Sequence, residues 1–305
     1  MNYEITLEIS YDYPNAVKDA RHILRVRPRA EPGQRVTAVS LAVSPKPSEA
    51  INERDFFGNQ IDHVFIQPSH DEMTVTMKAK VSVGRGALDL DATPSVGELI
   101  DVAHAARLSV PSAPMHFLGD SRIVRAMPAL TGYAMDALDM SAPSGAAILA
   151  FAKRIQKEFK YAPGATEVDT PLEEAFRRKE GVCQDFAHVM IAALRGMGVP
   201  AAYVSGYIRT IPPPGKRRLE GADAMHAWVA VWLGAKTGWR GFDPTNGILA
   251  LNDHIVVASG RDYSDVAPID GVLITAGPHT TKHSVDVKPI GEFSEPGVAT
   301  AIPRR

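Results

Sequence analysis

The chain has 305 residues, of which 45% are hydrophobic and 22% are charged, and its formal net charge is −2. This length predicts about two ordinary globular domains, and 33 Lys and Arg against 35 Asp and Glu leave no basic footprint for nucleic acid. No run approaches the roughly 18 apolar residues of a membrane helix, so no membrane contact is expected. The single cysteine excludes an internal disulfide. The first ten residues alternate like a strand and lack the basic start and apolar run of a signal peptide, so we expect a cytoplasmic protein.

Residues 1–88 predict a small β-rich domain. Runs rich in Val, Ile, Thr and Leu are separated by clusters of turn-forming residues. The predicted strands are 3–13, 22–29, 35–44, 60–67 and 73–83. Strands at this spacing are typical of an all-β sandwich. We find no catalytic constellation among them and expect a packing or substrate-recognition role.

The pattern changes to helical after this domain. Residues 89–140 form a predicted helical connector, in which Ser95 is placed to cap one helix and residues 128–138 form another. A catalytic domain with a C-terminal segment is expected over 141–305. Its predicted helices are 144–159, 171–178 and 183–197, and its strands are 201–208, 226–233, 238–243 and 253–258. A helix followed by antiparallel strands predicts an α+β fold.

Cys183 lies where a loop gives way to an apolar helix. The unpaired N–H groups and the positive dipole end of a helix start favour a thiolate over a thiol. A lone cysteine is nevertheless often a small buried hydrophobic residue. The position alone therefore leaves both a nucleophile and a buried structural thiol open.

His226 and Asp243, but not His188, could complete a catalytic group with Cys183. His188 follows it by five residues, which is about 140° around the helix, so His188 faces away and is expected to be structural. His226 opens an alternating strand, and Asp243 ends the next strand before Pro244. If those strand ends meet the helix start, the imidazole can reach the sulfur and the carboxylate can hold its tautomer.

Three motifs then carry a family resemblance. They are Gly-Val-Cys-Gln-Asp-Phe-Ala-His at 181–188, Ala-Met-His-Ala-Trp-Val at 224–229 and Gly-Phe-Asp-Pro-Thr-Asn-Gly at 241–247. They resemble the motifs of the bacterial transglutaminase-like superfamily, whose core is related to papain. The turn at 55–59 and the segment at 260–268 are similar to a bacterial subgroup with an N-terminal β-rich domain. The resemblance implies a nucleophile helix packed on an antiparallel sheet, preceded by that domain.

The resemblance also implies the roles of the site residues. Cys183 is the nucleophile, His226 the general base and later general acid, and Asp243 the residue that orients His226. The backbone N–H of Cys183 is expected to stabilise the oxyanion, with Gln184 and Tyr161 as candidates for a second donor.

We therefore expect a thiol-dependent hydrolase, a cysteine peptidase or amidase, that cleaves a peptide or protein substrate through a thioester acyl-enzyme. Transglutaminase-type acyl transfer from glutamine to a primary amine would use the same residues and is the alternative. A non-catalytic binding or scaffolding protein is a third possibility.

No cofactor is expected, and no metal is assigned, because His254, Asp253 and Asp265 have no ligand-like spacing. The cationic residues at 216–218 are predicted near the cleft, where they either bind an acidic substrate group or are solvated. The sequence does not indicate an oligomeric state.

Overall fold

The computed structural model describes residues 1–107, 109–210, 223–274 and 279–291. The cationic loop residues 216–218 lie outside these ranges. None of the helices within the described ranges is long and apolar enough to cross a membrane.

The first part of the chain folds into long antiparallel strands. Its strands are β1 (Asn2–Leu24), β2 (Gln34–Ser44), β3 (Glu49–Arg54), β4 (Gln60–Ile66) and β5 (His70–Val83). The sequence predicts separate strands at 3–13 and 22–29, but β1 runs from Asn2 to Leu24 as one strand. Register shifts in its pairing let it bend. The sequence also missed β3, because every residue in it is exposed and no alternation marks it.

These strands form a curled sheet around one apolar face. The order is β2-β5-β1-β4-β3, and β1 pairs with β5 along its first half and with β4 along its second. Alternate side chains of β1 and β5, such as Ile5, Leu7 and Met77, are fully or almost fully buried. The strand periodicity therefore identified the β-rich part of the chain correctly.

Helices connect this sheet to the second half of the chain. They are α1 (Val96–Ala105), α2 (Pro128–Met135), α3 (Ser144–Glu158), α4 (Leu172–Arg178) and α5 (Cys183–Gly196). Ser95 caps α1, as the sequence predicts, and Glu98 completes a capping box with it. Two short strands flank α4, β6 (Lys160–Tyr161) and β7 (Glu180–Gly181), and they pair in parallel beside the start of α5.

A five-stranded antiparallel sheet follows α5. Its strands are β8 (Ala201–Ile208), β9 (Ala224–Trp232), β10 (Trp239–Asp243), β11 (Ile248–Leu249) and β12 (His254–Gly260), in the order β11-β10-β9-β8-β12. Helix α5 packs on β8 and β9 and is buried over most of its length. The predicted α+β fold, a helix on an antiparallel sheet, is confirmed.

The last two strands within the described residues return to the β-rich sheet. After α6 (Tyr263–Val266) come β13 (Ile269–Ile274) and β14 (Thr280–Pro289), and both pair with β1. Residues 269–274 and 280–289, which the sequence placed with the catalytic domain at 141–305, therefore pair with the N-terminal sheet. No strand was predicted in either segment from the sequence, and the edge of β1 that each one pairs with is set by the tertiary fold.

Candidate active site

The Cys183 side chain is partly exposed at the first residue of α5. The residue before it, Val182, has no side chain that can cap the helix, so Asp185 takes this role. The Asp185 Oδ2 accepts hydrogen bonds from the backbone N–H of Val182 at 2.8 Å and from the Thr166 hydroxyl at 2.6 Å. These bonds fix the turn that presents the sulfur. The sequence reasoning missed Asp185, although an acidic residue in a first helical turn is a capping signal.

A close glycine contact supports the same turn. A Cβ added to Gly181 would overlap the Asp185 carboxylate, so the chain needs glycine there to let the carboxylate reach Val182. The pairing of β6 with β7 places Tyr161 opposite Gly181 and therefore near the nucleophile.

The two candidates for a second oxyanion donor differ in their surroundings. Gln184 donates its side-chain amide to the carbonyl oxygen of Val168 at 3.0 Å, so that group is already engaged. Tyr161 is 53% exposed and lines the cleft beside the site. The pKa of the Tyr161 hydroxyl is raised, mainly because the side chain is partly buried and secondly because the Cys183 sulfur is close. The hydroxyl therefore stays protonated and can donate.

His226 and Asp243 come together at the ends of β9 and β10. The Nε2 of His226 lies 2.8 Å from Oδ2 of Asp243, with 8% of His226 and none of Asp243 exposed. Because Nε2 is occupied by the carboxylate, Nδ1 is the ring nitrogen that remains for the Cys183 sulfur. The structure thus brings together all three residues predicted from the sequence.

The charges of this group follow from its contacts. Burial by itself lowers the pKa of His226, but hydrogen bonds to Asp243 and Cys183 outweigh it and raise the pKa to about 10. Burial alone would raise the pKa of Asp243, but hydrogen bonds from His226 and His254 hold it well below its usual range. At neutral pH the site therefore holds an imidazolium beside a carboxylate.

His254 is the functional neighbour that the sequence reasoning did not find. Its Nε2 lies 3.0 Å from the same Asp243 Oδ2, which also accepts the Asn246 amide at 2.7 Å. The other oxygen, Oδ1, accepts the backbone N–H groups of Thr245 at 2.9 Å and of Asn246 at 3.1 Å. The contacts of Thr245 and Asn246 had a sequence signal in the Asp-Pro-Thr-Asn turn after β10, since Asp side chains commonly accept hydrogen bonds from residues two and three positions on. No local signal marked His254.

A buried indole packs against both histidines. The Trp228 ring is stacked on His226, with 6.1 Å between the ring centroids, and lies edge-on to His254, with 5.1 Å between the centroids. Gly206, on the neighbouring strand, leaves room for this ring, because an added Cβ would overlap both Trp228 and the carbonyl oxygen of Ile255. The two imidazoles are therefore held by packing as well as by Asp243.

His226, Asp243 and His254 are also residue types that can bind a metal ion, and their ligand atoms all lie within 4.8 Å of one another. Their N···O distances of 2.8 and 3.0 Å are those of hydrogen bonds, with a proton between each pair. The amide of Asn246 donates to the same oxygen. A proton network accounts for these contacts.

A cleft of about 890 Å³ opens beside His226. Its walls include the exposed or half-exposed apolar residues Leu149, Tyr161, Ile248 and Leu251, together with the cation Lys153. A cleft of this size accommodates a bound ligand next to His226.

His188 lies outside this arrangement, as predicted. It is 3% exposed, packs 5.0 Å from the Tyr203 ring, and its Nε2 accepts the backbone N–H of Tyr263 at 3.2 Å. Burial lowers its pKa to about 4 even though Asp262 is close. His188 is therefore a neutral structural residue that ties α5 to α6.

The fold and this site define a class: a cysteine-dependent enzyme with a nucleophile helix packed on an antiparallel sheet. Residues 3–82 match the bacterial transglutaminase-like N-terminal region, and residues 134–244 match the transglutaminase-like superfamily. The chain belongs to the bacterial transglutaminase-like family.

Known proteins resemble the chain to different extents. An uncharacterized protein of Mycobacterium tuberculosis is 35% identical over 94% of this chain and 92% of its own length. A protein-glutamine gamma-glutamyltransferase of Pseudomonas aeruginosa is 35% identical over 33% of this chain and 15% of that protein. A crystal structure from Cytophaga hutchinsonii, provisionally described as a cysteine protease, covers 96% of this chain and 92% of that one, with a TM-score of 0.77 and 22% identity. That likeness shows a shared fold over both halves of the molecule.

Proposed function

We propose that this protein is a cysteine peptidase or amidase that hydrolyses peptide or amide bonds through Cys183, His226 and Asp243. The observation that carries the proposal is the hydrogen-bonded His226–Asp243 pair facing a nucleophile at a helix start, at the edge of an open cleft. This arrangement supplies a nucleophile, a proton carrier and an orienting carboxylate in one place.

The proposed reaction begins from the ion pair in which His226 has taken the thiol proton of Cys183 on its Nδ1, and the Cys183 sulfur then attacks the carbonyl carbon. A C–S bond forms and the carbonyl oxygen becomes an oxyanion, which the Cys183 backbone N–H stabilises. His226 then gives its Nδ1 proton to the leaving nitrogen, the C–N bond breaks, and a thioester remains. His226, now neutral, takes a proton from water, which attacks the thioester and releases the acid and the free sulfur.

Asp243 keeps the His226 ring in the orientation that this cycle requires. Its carboxylate holds His226 with Nε2–H toward β10 and Nδ1 toward the sulfur. It also stabilises the positive charge that the imidazole carries before each proton transfer to the leaving group. The provisional description of the Cytophaga hutchinsonii protein, which shares the fold over both halves, agrees with a hydrolase.

Acyl transfer to an amine is the second candidate. The Pseudomonas aeruginosa relative, named as a gamma-glutamyltransferase, favours it, but that match spans only 33% of this chain. The two reactions share every step up to the thioester and differ only in whether water or a primary amine attacks it.

The experiment that tests the proposal is a peptide-library digest followed by mass spectrometry. Wild-type protein and Cys183→Ala are incubated with the library, and with a glutamine-containing peptide plus a labelled primary amine. We expect Cys183-dependent cleavage or ammonia release that exceeds amine incorporation. Incorporation in excess of hydrolysis would establish the transferase, and turnover by neither route, or turnover that Cys183→Ala retains, would overturn the catalytic assignment.

A further inference from the structure

His254 stands on β12, an edge strand of the five-stranded sheet. An edge strand leaves backbone groups unpaired unless another part of the molecule covers them. Here the β-rich sheet does so. The Gln34 side chain donates to the Val256 carbonyl oxygen at 2.7 Å and accepts from the Val256 N–H at 2.8 Å, and Asn59 does the same at Ser259, at 2.9 and 2.8 Å. The two side-chain amides thus make the hydrogen bonds to β12 that the backbone of a neighbouring strand would otherwise make.

A third contact from the β-rich part reaches His254 itself. The Nη1 of Arg85 donates to the carbonyl oxygens of Leu251 at 2.8 Å and of His254 at 2.6 Å. Arg85 follows β5, so its position is set by the N-terminal sheet. The backbone of His254 is thus held by the β-rich part, while its imidazole meets Asp243.

The protonation of His254 follows from its neighbours. The titratable or charged groups that face it are Asp243, His226 and Arg85. Burial lowers the pKa of His254, the hydrogen bond to Asp243 opposes that, and the charges of His226 and Arg85 lower it further. His254 is therefore a neutral imidazole with its proton on Nε2, donated to Asp243 at 3.0 Å.

We propose that His254 is a positioning residue of the active site, through which the β-rich part of the molecule holds the Asp243 carboxylate in line with His226. The proposal rests on the proposed function, because it assigns a role within the same reaction. The N-terminal sheet thereby contributes to catalysis without contacting the substrate.

His254 and His226 both contact Oδ2 of Asp243, so His254 affects the pKa of His226. His254 donates to Oδ2 and so takes up part of the charge that Asp243 offers to His226. Without that donor, Asp243 would attract the His226 proton more strongly, and His226 would stay charged to higher pH. The groups that face His226 are Asp243, Cys183 and, 6.0 Å away between ring centroids, His254.

The test compares His254→Leu with His254→Gln. Leu removes the donor, whereas the Gln amide has the same reach as Nε2 and retains it. His188→Leu is the matched control, because it removes another buried histidine that does not touch Asp243. Two readouts are taken across pH 6 to 10.5: the kinetic constants on the best library peptide, and the rate at which iodoacetamide alkylates Cys183.

For His254→Leu we expect kcat to fall by about tenfold with KM changed less than about threefold. We also expect the high-pH limb of both profiles to move up by about half a unit or more. His254→Gln should restore the wild-type profiles, and His188→Leu should leave their pH dependence unchanged.

The proposal is overturned if His254→Leu keeps the wild-type pH dependence, or if His254→Gln behaves like His254→Leu. If His254→Leu does not fold, His254→Asn carries the same prediction, because its shorter side chain stops short of Oδ2. The alkylation readout needs no substrate, so it still decides the role of His254 if the protein cleaves no peptide. Absence of turnover in the wild type would instead count against the proposed function.

Discussion

The imidazole of His226 and the carboxylate of Asp243 are joined by a 2.8 Å hydrogen bond inside the sheet, where water is almost excluded. In water such a pair would gain little, because solvent screens both charges. Within the protein, Asp243 is fully buried and its oxygens accept five hydrogen bonds, so its charge acts on His226 from a fixed position. This pair sets the protonation of the site.

The pH dependence of the reaction should follow from the raised pKa of His226. Its folded value of about 10 exceeds its ordinary value, so the imidazolium persists through neutral pH and is lost as the pH rises through about 10. We expect kcat/KM to fall on that limb, because the leaving group then lacks its proton donor. Measurement of kcat/KM from pH 6 to 10.5 checks this.

Asp243→Asn is the matched variant for that experiment. It keeps the shape of the side chain but removes the charge that raises the pKa of His226, so the high-pH limb should move to lower pH and kcat should fall by at least about a hundredfold. A limb that stays near pH 10 in this variant would show that Asp243 does not control the protonation of His226.

Replacement of the nucleophile should separate activity from folding. Cys183 lies at the partly exposed start of α5, so Cys183→Ala should shift the melting temperature by no more than a few degrees. Its turnover should drop by at least about a thousandfold, because the thioester cannot form. Cys183→Ser serves as the isosteric control. Its turnover should also drop by at least about a thousandfold, since an alcohol is a much weaker nucleophile here. Activity and circular dichroism are measured on the same samples.

The second oxyanion donor can be assigned by two substitutions. We predict that Tyr161→Phe lowers kcat by about tenfold to a hundredfold with little change in KM, because the oxyanion exists only after attack. Gln184→Leu should lower kcat by no more than a few fold, since its amide already donates to Val168. If the two variants lose activity in the opposite order, Gln184 rather than Tyr161 is the donor.

The cap on the nucleophile helix should be visible in stability. Asp185→Ala leaves the Val182 N–H and the Thr166 hydroxyl without their acceptor, and we expect a loss of about 1–3 kcal/mol in the free energy of unfolding. Thr166→Val removes only one of these bonds and should cost less. Urea unfolding of both variants in the Cys183→Ala background measures this without interference from the thiol. Equal stability of Asp185→Ala and its parent would mean that the cap contributes nothing.

Local patterns in the sequence identified much of the molecule. The periodicity of helices α3 and α5 and of strands β8, β9 and β12 is visible because each buries one face or nearly all of its length. Strand β3 was missed because it is exposed on both faces. The predicted strand 3–13 and the start of the predicted strand 22–29 belong to one strand, β1, because β1 resumes its pairing with β5 after the register shift between Asp12 and Val17.

The candidate site divides in a similar way. Cys183, His226 and Asp243 each stand at the start or end of an element that the sequence reveals, so their approach could be predicted. His254 could not, because its contact with Asp243 depends on where β12 packs in the sheet. Asp185 left a readable signal, but only the structure shows that its carboxylate replaces the missing cap at Val182.

The sequence by itself determined the main helices, the strongly patterned strands and the three residues that meet at the site, since these depend on short-range periodicity and motifs. Only the tertiary structure decided that residues 269–274 and 280–289 pair with the first strand and that His254 shares the Asp243 carboxylate. Both depend on pairing between segments far apart in the chain, and a strand carries no local mark of the edge it will occupy.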